Sequence, residues 1–221
     1  MSKKRRNILL AFIIPALLFY VVFWISPVLM SFYYGLTNWR GMGDFDIVGM
    51  KNYANLIKQG TLFNSMGNTI KYTLFVVIWG NIQALALAMI LNMKLKARGV
   101  FRTIFYIPAL FSTIVVAFLW SYVYAPHYGM ISEIFNLFGS SNAPNLLGSK
   151  ATSLFAAAFV ETWKTSGTMT IIYLAGLQNI SEEVIESAKI DGCNGWQAIR
   201  YVKIPMLANT ITVNVMLGLI G

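Results

Sequence analysis

Charge is scarce in this chain. Of 221 residues, 11% are Asp, Glu, Lys or Arg and 57% are hydrophobic, where soluble domains carry roughly 25% charged residues. That balance reads as a bilayer protein. Cysteine and histidine are scarcer still: the single Cys193 and single His127 exclude a disulfide framework and any His/Cys metal cluster within the chain. No G-x-x-x-x-G-K-[ST] occurs, so there is no phosphate-cradling loop and no ATP hydrolysis by that route. No H-E-x-x-H occurs either, and the sole histidine falls in a connecting loop. An intramembrane hydrolase would lack its converging nucleophile and base. Internal repeats, heptads and low-complexity linkers are also missing.

What is present is a series of long apolar runs. A bilayer core about 30 Å thick takes about 20 apolar residues as helix. Segments 8–34, 69–91, 101–124 and 151–174 are long enough, and a fifth run, 206–221, is 16 residues long and is expected to be cut inside a span. The expected fold is an all-α, polytopic helical bundle with five spans in one membrane domain, 1–221. The basic start, Lys3-Lys4-Arg5-Arg6, resembles a signal peptide. However, the apolar run behind it exceeds the usual length of about 7–15 residues and no small-x-small cleavage site follows, so a retained first span is expected. Pro15 and Pro27 should bend that span, with neighbouring helices repairing the lost hydrogen bonds. Ala84, Ala86 and Ala88, then Ala156, Ala157 and Ala158, are small residues of the kind that let helices approach closely in lipid.

The net charge of +9 sorts by loop. Lys3 to Arg6 precede span one, Lys94, Lys96, Arg98 and Arg102 fill the turn after span two, and Lys189, Arg200 and Lys203 lie between spans four and five. The alternate loops hold Arg40, Lys51, Lys58, Lys71 and Lys150. Basic loops face the cytoplasm, which places the N-terminus inside. Of the outer loops, 37–67 contains a mildly amphipathic patch, 53–57, expected to lie on the membrane surface, and 125–150 is rich in turn residues.

The segment 177–205 is a polar, helix-forming island between apolar runs. Ser181 is a good N-cap, with Glu182 and Glu183 in the first turn where the dipole favours negative charge. Leu177, Ile180, Val184 and Ala188 fall on one face at helical spacing. Asp191-Gly192 should end the helix, since Gly tolerates the left-handed conformation. A second short helix is expected from 195 or 196 to about 202, with Pro205 opening the fifth span. Such a knob suits a groove on a partner: Ala188 is small enough for close approach, Glu186 and Asp191 offer carboxylates, and Trp196 can pack the turn or sit at headgroup level. The residues alone equally allow an ordinary cytoplasmic loop that happens to be helical.

At these positions the chain resembles the permease (transmembrane) subunits of binding-protein-dependent ABC importers. Their signature in this loop is Glu-Ala-Ala, three residues, then Gly, with Ile/Leu-Pro further on. Here stand Glu186-Ser187-Ala188, Gly192 and Ile204-Pro205. Leu177-Gln178, Ile190-Asp191 and Trp196-Gln197 are similar to the carbohydrate branch, related to the maltose and glycerol-3-phosphate permeases. So are Asn68-Thr69, Gly99, Phe101, Arg102, Ile107-Pro108, Trp120 and Gly129. Ser181, Ser187 and Cys193 depart from the pattern by small, conservative swaps, and the family would complete the fifth span and add at least one more.

The resemblance implies an ATP-driven sugar importer in a bacterial or archaeal cell membrane. The chain would form half of the path as one of two permease subunits, a heterodimer, and bind no cofactor. A cytoplasmic ATPase dimer would bind ATP, and an extracytoplasmic solute-binding protein would deliver the sugar. Glu186, Ser187, Ala188, Asp191, Gly192 and Pro205 would couple to the ATPases. Membrane lipid is the remaining partner, and nucleic acid is not one.

Within the spans, Glu161 and Lys164 are the only ionisable pair, and their i, i+3 spacing allows them to face each other on span four. Charges at that depth cost at least about 2.5–3.5 kcal/mol each and face a cavity or partner. One reading is a polar stripe lining the substrate path, with Trp163 offering an aromatic face to sugar rings and Thr162, Thr165 and Ser166 nearby. The other is a self-neutralising pair that supports the bundle. Asn81, Gln83, Asn209 and Asn214 face the pore or hydrogen-bond between helices. The rival functions are a permease for another small solute, such as an amino acid or peptide, and a membrane scaffold that only recruits a partner.

Overall fold

The structure of the chain, a computed structural model, describes residues 3–93, 96–139 and 143–220. The side chains of residues 3–10 lie outside the description, as do residues 1, 2, 94, 95, 140–142 and 221. Lys94 and the side chains of Lys3 to Arg6, used in the charge count, therefore fall outside the described residues. The secondary structure is helical, with one isolated bridge, Thr37 to Ile47, and no strand among the described residues. The chain divides into two compact units, Met1–Gly67 and Asn68–Gly221.

In the first unit, α1 (Lys3–Tyr20) passes through a π turn, Val21–Ile25, into α2 (Ser26–Gly35). The π turn lies just ahead of Pro27. Proline clashes with the carbonyl four residues back, and a wider turn at that point accommodates the ring. The expected bend is thus absorbed, and Ala11–Gly35 counts as one span of 25 residues with none of its apolar window buried within the chain. Beyond it, Trp39 stacks on Tyr34 with centroids 4.3 Å apart, and Phe45 meets both rings edge-on. Asn52 on α3 (Lys51–Lys58) donates to the carbonyls of Gly35 at 2.9 Å and Thr37 at 2.8 Å. The patch read as amphipathic is this short helix.

α4 (Thr61–Asn92) begins eight residues earlier than the expected span at 69. Lys71, counted as a loop charge, therefore sits inside a helix. The expected span 101–124 is two helices, α5 (Arg98–Leu110) and α6 (Thr113–Val123), meeting at 99°. Pro108 weakens the last turn of α5, Phe111 is extended, and Ser112 caps α6 by accepting from Val115 N–H at 3.4 Å. α6 is 11 residues, too short to cross alone. α7 (Met130–Leu137) forms within the turn-rich stretch 125–150.

α8 (Ser153–Gln178) is 26 residues long and supplies most of the interior. Its Met169, Tyr173, Leu174 and Leu177 pack with Ala84, Ala88 and Leu91 of α4 and with Leu207. Of the small residues, Ala84, Ala88, Ala156 and Ala158 are buried, while Ala86 and Ala157 face outward. In lipid such contacts are held by close van der Waals packing. α9 (Glu182–Ile190) and α10 (Gly195–Gln197) follow. A π turn, Ala198–Lys203, then leads into α11 (Ile204–Met206), and α12 (Ala208–Ile220) turns away by 69°. Pro205 stands at the start of α11, as its missing N–H allows, and the bend follows before Ala208.

Five crossings were expected. The described residues contain two helices that are both long and apolar enough to cross, Ala11–Gly35 and Thr61–Asn92, and up to four if each bent pair is one span. α8 has the length, but its hydroxyl and charged residues keep it from being apolar enough.

Candidate functional site

The polar island folds into a corner locked at both arms. Ser181 takes the extended N-cap conformation ahead of α9 but makes no side-chain cap bond. At the other end Gly192 adopts φ +81, where its N–H reaches Lys189 O at 3.0 Å and Cys193 N–H reaches Ala188 O at 3.0 Å. These two bonds satisfy the last carbonyls of α9, and the left-handed residue between them favours glycine. Asn194 then caps α10: its Oδ1 accepts from Gln197 N–H at 2.9 Å and Gln197 Oε1 accepts from Asn194 N–H at 2.8 Å. This reciprocal capping box has its sequence signal in Asn-x-x-Gln, three residues apart, beyond the Gly that ends α9.

The corner presents Glu186, Ser187, Asp191, Gly192 and Pro205 on its surface. Ala188 is different: it is 7% exposed and turned into this chain. Its small side chain thus serves the seating of α9 on its own bundle. The inward face is also shifted. Leu177, Ile180 and Ala188 are buried and Ile185 packs on the core, whereas Val184 is exposed. Ile190 is 86% and Trp196 69% exposed, so Trp196 does not pack the turn. The outer surface is a mixture of carboxylates and bare apolar side chains.

A second site lies in the helical unit, where α4, α8 and α12 border a partly open pocket of about 450 Å³. Its polar lining is Glu161, Thr165 and Thr168 of α8 with Thr69, Tyr72 and Thr73 of α4, and Val76, Met169 and residues 217–220 complete it. No basic side chain lines it. Such a pocket offers an uncharged polar guest hydroxyls that donate or accept and one carboxylate that accepts. Of these residues, Tyr72, Thr73 and Thr168 were not singled out from the sequence. Threonines inside an apolar run look like packing until the facing helix is known.

The three expected path residues do not converge. Lys164 Nζ donates to Thr113 Oγ1 at 2.7 Å, at the start of α6, and forms no ion pair with Glu161. The self-neutralising pair is therefore absent: residues three apart share a helix side, but each found a different neighbour. Trp163 faces a separate cavity of about 480 Å³, lined by Gln83, Leu87, Phe105, Pro108 and Ser166 among others. It also joins an aromatic cluster centred on Trp120, 5.4 Å away. Thr162, Thr165 and Ser166 donate to the carbonyls of Phe159, Glu161 and Trp163, each at 2.8 Å. Such back-bonding lets hydroxyls lie inside a helix without outside partners. Asn81 and Asn214 act between helices: Tyr173 Oη donates to Asn81 Oδ1 at 2.5 Å, and Asn214 Nδ2 donates to Met169 O at 3.3 Å.

Known proteins are similar to this chain in sequence and in fold. The chain is 30% identical over 208 residues to the probable starch degradation products transport system permease protein AmyD of Thermoanaerobacterium thermosulfurigenes, covering 94% of this chain and 70% of that protein. It is 32% identical over 206 residues to the trehalose/maltose transport system permease protein MalF of Thermococcus litoralis, covering 93% and 70%. A crystal structure of a bacterial alginate ABC transporter, in complex with alginate pentasaccharide-bound periplasmic protein, superposes with a TM-score of 0.79. There the identity is 23%, covering 97% of this chain and 72% of that one, and the likeness is one of fold. Residues 61–221 match the profile of the binding-protein-dependent transport system inner membrane component. The chain therefore belongs to the family of inner membrane components of binding-protein-dependent transport systems.

Proposed function

We propose that this chain is the permease subunit of an ATP-driven sugar importer, and that the α9–α10 corner is where ATPase subunits deliver work to it. The observation that carries the reading is the corner itself. A helix closed by two backbone bonds and a capping box leaves Glu186, Ile190, Asp191 and Trp196 exposed among the described residues. Bare apolar side chains beside exposed charged residues are the make-up of a protein contact. With no phosphate-cradling loop of its own, the chain receives the energy of ATP from partner subunits, and a rigid corner passes that push on as a rigid-body movement.

The sugar class is supported by the names of the relatives and by the hydroxyl-lined cavity around Glu161. Trp163 and Lys164 lie away from that cavity, so Glu161 carries the proposed path contact. A sister permease completes the path, a solute-binding protein delivers the sugar, and the basic loops set the N-terminus in the cytoplasm.

Reconstitution of the permease with its ATPases, sister subunit and binding protein in proteoliposomes tests this. ATP-dependent accumulation of an oligosaccharide is expected, and Glu186→Lys should abolish it while the complex still inserts. Accumulation of an amino acid or peptide instead would reassign the solute. Recruitment of the ATPases without accumulation of any solute would leave only a scaffold.

A further inference from the structure

One polar cluster belongs neither to the corner nor to the cavity. Arg98 and Arg102 stand one turn apart at the start of α5, both half-buried. Their Nη2 atoms converge on the amide oxygen of Gln178, at 2.9 and 2.8 Å, with the amide turned so that donors meet acceptor. Arg98 Nη2 also reaches Asn92 Oδ1 at 3.4 Å. The Nε atoms of both arginines are buried with no partner among the described residues. Asn92 is the last residue of α4 and Gln178 the last of α8, so the ends of three helices meet here.

Holding two partly desolvated cations on neutral amides is costly when water or a carboxylate could serve them better. The C-terminal end of α8, whose dipole favours cations, offsets part of that cost. A cluster held this way fixes the position of the helix ends. α5 and α8 also form the most extensive helix pairing in the unit. They approach closely at Gly167, where a Cβ would lie 2.5 Å from Phe105 O and 2.8 Å from Tyr106 Cα. Gly167 and Gln178 are about 16 Å apart along α8. α5 is thus tied to α8 at two separated points.

We propose that Arg98 and Arg102 are positioning residues that clamp α5 to the root of the α9 corner. Only residues 179–181 separate Gln178 from α9. A push on α9 passes through Gln178 to α5 and is taken up at the bend between α5 and α6. This rests on the reading of α9 as the docking element.

The test uses the full permease in its complex, reading solute transported per ATP hydrolysed in proteoliposomes. Arg102→Gln and Gln178→Leu are each expected to lower that ratio about tenfold while binding-protein-stimulated hydrolysis stays within about twofold. The double variant should be no worse than either single, because both remove one link. Gln178→Glu keeps the acceptors and should retain the wild-type ratio. Gln178 is exposed, so its variants carry the test even if Arg102→Gln fails to assemble. A wild-type ratio in Gln178→Leu, or losses that add in the double variant, would overturn the clamp. Gly192→Pro separates the two readings. If it transports normally, the docking assignment fails; if it abolishes transport while Gln178→Leu does not, only the clamp fails.

Discussion

α8 and the corner that follows it solve opposite problems. α8 runs through the interior of its unit carrying Thr162, Ser166 and Thr170, all buried. Each is satisfied at home: two donate to carbonyls of their own helix, and Thr170 reaches Ala84 O at 3.4 Å. The corner is satisfied in its backbone but leaves Ile190 and Trp196 bare. One segment hides polar groups among apolar ones; the other displays apolar groups among polar ones. In each, whatever the chain does not satisfy itself shows where something else must arrive. In the proposed reading, the solute meets α8 on the side carrying Glu161, and the ATPases meet the outer face of the corner.

The strongest way to break the contrast is to deform the corner. Proline holds φ near −65° and has no N–H, whereas Gly192 sits at φ +81 and donates to Lys189 O. Gly192→Pro should reduce ATP-driven uptake by more than about a hundredfold, the upper range of site-to-site coupling, with membrane insertion unchanged by fractionation. Uptake within a few-fold of wild type would remove the claim that the shape of the corner matters.

Crowding the interior should act on stability instead. Gly167→Ala puts a methyl group against the backbone of α5, and overpacking of this kind costs about 1–3 kcal/mol. A lower melting temperature of the detergent-solubilised protein is expected; an unchanged one would mean that α5 yields freely. Glu161→Gln keeps shape and removes charge. The difference between a charged and a neutral hydrogen bond, about 1 kcal/mol, should raise the half-saturation for sugar about fivefold to tenfold with maximal uptake retained. An unaltered half-saturation would take Glu161 off the path. The smallest effect belongs to Lys164→Met, which loses one exposed bond to Thr113. Uptake should change less than about twofold, and a collapse of transport would show that Lys164 does more than brace α6.

Much of the corner was legible one residue at a time. The termination of α9 at Asp191-Gly192 follows from what Gly alone tolerates. The face that α9 buries was not: Val184 shares the spacing of Ile180 and Ala188, yet Ile185 is the residue packed inward. Spacing gives a helix face to within about a residue, and only the helix beneath selects among its edges. The same applies to Glu161 and Lys164. Their separation permits an ion pair, but Thr113 competes for the lysine from the far side of a 99° bend.

Composition and charge order were enough to establish a membrane-bound, all-helical chain with a polar corner between its later helices. Those properties depend on the lipid solvent and on backbone preferences, both of which act residue by residue. The placement of Glu161 beside hydroxyls of α4 and the meeting of Arg98 and Arg102 at Gln178 arose only once the helices packed. Each joins residues tens of positions apart, and which of several allowed partners wins is decided by the competition for contact among all of them.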